Sequence, residues 1–250
     1  MANIIRCVLP DGVHRFKPFT VADYRDFLLV RNDLRTKSPA EQKQVLDEML
    51  EDIFPEYPVV FRPYMFMKLF TGSIGKTKIP VSFVCPTCEK EKSVLFDLSQ
   101  KDLKRPEIEV AGIKIFFKFP EREYEDKAAM IYDCIESIEH EGAIHSWMSL
   151  SKDNQLQVID AIDFGTFELI YKQLTPMRFE LNMRCCETRS NIYDDILSIF
   201  KLLLNPDEVF SFYQINHTLV KSHYDLDSIM NMIPIERSIA LSLIEKDNKK

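Results

Sequence analysis

The chain has 250 residues, 46% of them hydrophobic, with 32 basic against 39 acidic side chains and a formal charge of −7. That is enough apolar material for a core burying roughly 70–75% of the unfolded surface, so folding needs no disulfides. No run approaches the ~18–20 apolar residues of a membrane span, and the first dozen residues turn polar too soon for a signal peptide. The acidic balance argues against a general nucleic-acid binder, whose affinity comes from clustered Lys and Arg. Six glycines, where average usage near ~7% gives about seventeen, leave little backbone to wrap phosphates.

The opening predicts a hairpin, Ile4 to Leu9 and Val13 to Phe16, turning at Asp11-Gly12. Thr20 is a good N-cap for a helix with Tyr24, Phe27, Leu28 and Leu34 on one face. Ser38-Pro39-Ala40-Glu41 is a capping box with proline at the first helical position, leading a stripe of Val45, Leu46, Met49, Leu50 and Ile53. Val59 to Phe70 predicts a buried helix after Pro63, its Met and aromatic residues serving as core.

From Lys78 the apolar period becomes two. Ile79, Val81 and Phe83 lead to Cys85-Pro86-Thr87-Cys88, and Val94 and Phe96 return, giving strand, knuckle and strand. Ile108 to Val110 and Ile113 to Phe119, hinged at Gly112, predict a second hairpin, so that the sheet is largely antiparallel. Glu121 to Glu139 reads as one helix carrying Met130, Ile131, Cys134, Ile135 and Ile138, with Cys134 a small core residue. Ser151 to Leu174 reads as two helices broken around Phe164-Gly165, and Met177 to Met183 returns to strand. Helices follow over Tyr193 to Leu204, Asp207 to Val220, Leu226 to Met232 and Ile235 to Lys246, the last three being a separable tail.

In a reducing compartment the six cysteines are metal ligands or packing before they are disulfides. Cys85-x-x-Cys88 lets two thiolates face one tetrahedral metal, and Cys185 and Cys186, at the end of a predicted strand, would complete a structural Zn²⁺ site clasped by two hairpins. Adjacent side chains on an extended strand point to opposite faces, so a bend must bring both in. Four free thiols, or one of the pair with a solvent or histidine ligand, are the competing readings. His140-Glu141-Gly142-Ala143-Ile144-His145 has one residue too many for a metalloprotease helix and reads as a solvated loop. Gly72-Ser73-Ile74-Gly75-Lys76-Thr77 imitates a phosphate loop but lacks its first glycine, Phe70 standing there, and reads as a helix-to-strand turn. With no nucleophile elbow and only five scattered histidines, no catalytic constellation assembles, and binding or assembly is the expected role.

The order of these pieces resembles the baseplate hub proteins of T-even type contractile-tailed bacteriophages. The resemblance covers residues 1–204. It is carried by Phe16-Lys17-Pro18-Phe19 and the helix through Asp23 and Leu28, by Tyr64-Met65-Phe66-Met67-Lys68-Leu69-Phe70 running into Gly75-Lys76-Thr77, and by the Cys85–Cys88 knuckle ending at Asp97-Leu98. Phe116-Phe117-Lys118-Phe119-Pro120, Tyr132 to Ile138 and Leu174-Thr175-Pro176-Met177 complete it. Cys85 and Cys88 match paired cysteines found in the family's first hairpin, whereas Cys185-Cys186 departs from a clean second knuckle. The tail, with Tyr224 to Met230 and then Ile233-Pro234-Ile235-Glu236-Arg237, resembles the longer branch of the family, phage assembly factors.

The resemblance implies an α+β fold, in which antiparallel β-hairpins with a zinc-ribbon-like knuckle are surrounded by helices, and a division into a body, 1–204, and a helical C-terminal extension, 205–250. It implies a non-enzymatic, chaperone-like factor that promotes assembly of the tail baseplate hub in the host cytoplasm, or alternatively a structural hub subunit carried in the virion. The implied partners are other baseplate hub proteins, with neither nucleic acid nor membrane, and self-association is left open. Contacts through the C-terminal helices, with Tyr213 and Tyr224 as surface aromatics, compete with docking of those helices on their own body.

Overall fold

The computed structural model of the protein describes residues 4–247, leaving the last three residues of the extension outside. It is α+β, mixing helices with antiparallel hairpins. β1 (Ile5–Leu9) and β2 (Gly12–Phe16) pair with Leu9 opposite Gly12, so the turn centres on Pro10-Asp11, one residue earlier than predicted. α1 (Val21–Asp33) starts as expected: the Thr20 hydroxyl accepts the Asp23 N–H at 3.2 Å and the Asp23 carboxylate accepts the Thr20 N–H at 2.7 Å. α2 (Pro39–Ile53) begins with the same box between Ser38 and Glu41.

A 3₁₀ turn at Val59–Phe61 leads into α3 (Arg62–Ile74), whose Tyr64, Met65, Phe66 and Met67 are completely buried, as core residues should be. The chain leaves α3 through Gly75, whose left-handed backbone (φ 67°) caps the helix, and enters β3 (Lys78–Val84), which pairs with β4 (Glu91–Asp97). The phosphate-loop lookalike is thus a helix-to-strand turn. A Cβ on Gly75 would also collide with Ile235 Cδ1 from the C-terminal helices. Gly75→Ala is therefore expected to cost about 1–2 kcal/mol from left-handed backbone alone, roughly 2–8 °C in Tm, and more while Ile235 is in place. A melting curve beside Gly75→Ala/Ile235→Ala, in which the excess should disappear, checks this.

β5 (Glu107–Val110) and β6 (Ile113–Phe117) turn through Ala111 and Gly112, both at positive φ, as the twist of a two-residue hairpin requires. The structure replaces the expected helix over 121–139 with a short helix and a strand. α4 (Lys127–Cys134) stops at Cys134, and Ile135–His140 forms β7, paired to β6 with Ile138 opposite Ile115 and Ile135 opposite Phe117. Ile135 and Ile138 satisfy either period, and the partner strand decides in favour of the one β-branched residues prefer.

The His140–His145 segment is exposed as expected but is a hairpin, not an irregular loop: β8 (Ala143–Ser146) returns along β7 through Glu141 and Gly142 at φ 51° and 80°. The sheet order is β5-β6-β7-β8, all antiparallel. The remaining strands form three separate two-stranded ribbons, where the sequence suggested one sheet.

α5 (Lys152–Asp160) and α6 (Phe164–Leu174) break at 161–163, because Asp163 caps α6 by accepting the Thr166 N–H at 2.7 Å. Phe164-Gly165 opens the second helix instead of separating the two. β9 (Phe179–Arg184) pairs with β10 (Thr188–Tyr193), so Tyr193 ends a strand, and the helix predicted from it, α7 (Ile196–Leu203), begins after the Asp195 cap. α8 (Glu208–Lys221), α9 (Leu226–Asn231) and α10 (Pro234–Asp247) follow.

Two apolar cores result. The larger gathers α1–α3 with Cys7, Phe96, Phe179 and Phe200, and it includes Phe212, Leu219, Ile229 and Ala240 from α8–α10. The smaller lies between β6, α4, β7, α5 and α6, around Ile115, Phe117, Trp147 and Ile170. The C-terminal helices are tied to α1 by the Val21 N–H, which donates to Met232 O at 2.7 Å, and by Tyr24, whose hydroxyl donates to Glu208 at 3.3 Å. Among the described residues no helix is long and apolar enough to cross a membrane.

Candidate metal centre

The β3–β4 ribbon ends at the Val84–Glu91 rung, and beyond it the chain forms a tight knuckle. The Cys85 N–H donates to Lys90 O at 3.0 Å and the Glu89 N–H donates back to Cys85 O at 2.7 Å, with Glu89 in the left-handed region at φ 55°. This folding aims the N–H groups of Cys88 and Thr87 at the Cys85 sulfur, and the Cys186 N–H joins them from the second ribbon. The β9–β10 ribbon ends one residue short of its cysteines, at the Arg184–Thr188 rung. The Cys185 N–H then closes onto Glu187 O at 3.1 Å, so the alternation of an extended strand no longer applies, and both sulfurs reach the same side.

The ribbons lie side by side because Phe96 of β4 packs edge-on to Phe179 of β9 at 6.1 Å between ring centroids and against Tyr193 of β10 at 5.3 Å. The sulfurs of Cys85, Cys88, Cys185 and Cys186 consequently all lie within 4.8 Å of one another, with Cys88 and Cys185 at 3.5 Å. Four thiolates around a tetrahedral zinc, each Zn–S bond about 2.3 Å, stand about 3.8 Å apart. The donor set therefore fits such an ion without a rearrangement of backbone. It is the one such cluster of metal-ligating side chains among the described residues.

The electrostatics of the cluster follow from its hydrogen bonds. Backbone N–H groups from Cys88, Cys186 and Thr87 hold Cys85 as a thiolate, its pKa drawn down to about 6. Cys186, hydrogen-bonded to Cys88 and crowded by the other sulfurs, is pushed up to about 12, and Cys185 is raised by its hydrogen bonds to Cys88 and Cys85. One negative charge is welcomed and the next are resisted; a dication bound among the four sulfurs would offset that resistance. The other two cysteines behave differently. Burial pushes both Cys7 and Cys134 up to about 11, and each sits in one of the two cores, as inert packing thiols do.

The sequence singles out all four clustered cysteines, but not the platform that joins their ribbons, since its pattern places Tyr193 at the start of a helix. A period-two reading of Thr188–Tyr193 was the available signal, weak because nearly all of that strand is exposed. Of the surface aromatics, Tyr213 is 52% exposed, beside Phe210 at 70% one turn earlier on α8, and Tyr224 packs partly buried against the larger core.

Two family models divide the chain between them. Residues 1–201 match the model described as T4 bacteriophage base plate protein, and residues 203–249 match the one described as Baseplate hub assembly protein Gp51 C-terminal domain. No curated protein and no solved structure matches the chain. With four fifths of its length inside the first model and nearly all of the remainder in the second, the chain belongs to the T4 bacteriophage base plate protein family and is a baseplate hub assembly protein of the T4 type.

Proposed function

We propose that the protein is a non-enzymatic, chaperone-like factor that brings other baseplate hub proteins together in the host cytoplasm and leaves before the particle is complete. The carrying observation is the surface of α8–α10. Phe212, Leu219, Ile229 and Ala240 of these helices are committed to the larger core, while Phe210, Tyr213, Ile239 and Leu243 remain half or more exposed. Aromatic and aliphatic side chains exposed in this way are what a protein–protein contact can use as anchors. A contact with few such anchors and a polar rim binds modestly, which suits a factor that must let go. In this reading residues 1–204 form the body and residues 205–250 a docked extension that presents the contact face.

The four cysteines fit a structural role in the same reading. Cys85, Cys88, Cys185 and Cys186 would hold one Zn²⁺ in a closed, all-sulfur set, which staples the two ribbons as in a zinc ribbon and leaves no position open for a substrate.

The test is quantitative mass spectrometry of purified particles beside lysates of infected cells, with and without the gene. The expected result is hub-less assembly when the gene is missing and no stoichiometric copy in finished particles. A fixed copy number in those particles would overturn the factor reading in favour of a structural hub subunit.

A further inference from the structure

Residues 98–106 join the two cores without regular secondary structure, yet they are firmly held. The Leu98 N–H donates to Thr77 O at 2.7 Å and the Leu103 N–H to Val8 O at 3.2 Å; Tyr64 donates to Lys101 O and Lys68 to Gln100 O. This segment and the C-terminal end of α6 wall a cleft of about 540 Å³. Lys101, Lys104 and Arg105 on one side and Lys172 and Arg178 on the other give it five cationic groups against two anionic ones, in a chain whose net charge is −7.

Both anionic groups are already engaged, Asp102 by Lys68 at 3.4 Å and Glu107 by Lys114 at 3.0 Å. Arg105 is paired with Glu136 and Arg178 with Asp194. Lys101, Lys104 and Lys172 are exposed and have no acidic partner among the described residues. Three uncommitted lysines thus face one preformed cleft.

The second observation is independent of charge. Gln100 also lines the cleft, and its side-chain Oε1 and Nε2 are both buried with no hydrogen-bond partner. A buried acceptor and donor left unpaired cost the desolvation of each group, and native structures rarely leave both ends of one amide so. One acceptor and one donor side by side match what a single peptide group offers, an N–H and a C=O. A phosphodiester or a fully ionised phosphomonoester offers acceptors only and would leave Oε1 unpaired.

We propose that this cleft binds an extended acidic peptide segment of a partner protein, its carboxylates on Lys101, Lys104 and Lys172 and one of its backbone peptide groups on the Gln100 amide, which a rotation of that side chain would turn out into the cleft. The inference rests on the reading that the protein works by binding other proteins, and it names the chemistry of the segment recognised.

The test uses the intact protein and a fluorescein-labelled decapeptide of alternating glutamate and glycine, followed by fluorescence anisotropy at low and raised salt. The expected result is saturable binding that weakens as salt rises, as exposed charge pairs do. Lys104→Glu/Lys172→Glu should lower the affinity at least about tenfold, and Lys152→Glu on the outer face of α5 should leave it unchanged. Gln100→Leu should lower it as well while leaving Tm unchanged or raised, because two unpaired polar atoms are removed. Absence of saturable binding, equal competition by inorganic phosphate, or a Gln100→Leu variant that loses Tm and keeps its peptide affinity would each overturn the proposal. None of these outcomes bears on particle composition, which tests the assembly reading separately.

Discussion

Purified protein is expected to carry one zinc per chain by elemental analysis, to lose it with Cys85→Ser or Cys88→Ser, and to keep it with Cys134→Ala. The reason lies in the contrast between the two kinds of cysteine. Cys85 and Cys88 sit in a knuckle whose N–H groups converge on sulfur, whereas Cys134 is a core thiol at 1% exposure, outside the four-sulfur cluster. In zinc-finger peptides the metal supplies about 10–16 kcal/mol, because nothing else folds the chain. Here Phe96, Phe179 and Tyr193 already anchor the ribbons, so the loss should be confined to the tips. A destabilisation of about 2–4 kcal/mol, near 4–16 °C in Tm, is the expected scale. Cys134→Ala serves as the mirror experiment, lowering Tm through a core cavity while zinc stays bound. The sign with pH follows from ligand chemistry. Thiols lose protons to bind the metal, so acidification should release zinc, and the chelated protein should show the same Tm as Cys85→Ser. Four thiols that react freely with a thiol reagent in untreated protein, with Tm indifferent to chelator, would reduce the cluster to packing.

Local chemistry was the legible part of this chain. The two capping boxes at Thr20 and Ser38, the glycine cap at Gly75 and the Cys85–Cys88 spacing each depend on residues within a few positions, and each could be read without knowing what packs above it. Where the structure departed from expectation, a distant partner decided. Ile135 and Ile138 continue a helical stripe perfectly well, and only pairing to Ile115 and Phe117 turns them into a strand. Tyr193 likewise belongs to β10 because β9 lies beside it, and the remainder of that strand is too exposed to show alternation. The bend after Arg184 is the consequence that mattered for the cysteines, since it lets neighbours in sequence act as neighbours in space. The basic cleft had no local signature at all. Lys101 and Lys104 lie some seventy residues from Lys172, and the unpaired amide of Gln100 is a property of packing, not of spacing.

Removing residues 205–250 is expected to abolish stable folding, and altering the outer face of the same helices to leave stability intact while impairing hub assembly. Truncation strips Phe212, Leu219, Ile229 and Ala240 from the larger core and uncovers the faces of α1 and α3 beneath them. At ~1.5–3 kcal/mol for each large side chain, the loss is about 5–9 kcal/mol, comparable with the whole net stability of an ordinary domain. A chain ending at 204 should therefore aggregate or melt without a cooperative transition. Arg237→Ala makes the same point more gently. The guanidinium is 8% exposed, donates to Asn216 at 3.1 Å and lies over the Phe212 ring at 4.5 Å, and its removal leaves Asn216 buried with an orphaned carbonyl, about 2–3 kcal/mol. Phe210→Ser/Tyr213→Ser is the milder case, since both rings are half or more exposed and their tie to the core is the edge-on contact of Tyr213 with Phe212, 5.4 Å between ring centroids. The double variant should melt within about 2 kcal/mol of the parent, the scale of one lost aromatic contact, yet fail to restore hub formation in cells lacking the natural chain. The two experiments separate what the C-terminal helices do for their own body from what they offer to another. Native stability in the 1–204 chain would mark the helices as an appendage. Full complementation by Phe210→Ser/Tyr213→Ser would move the contact face away from α8, leaving Ile239 and Leu243 of α10 as the exposed apolar side chains to alter next.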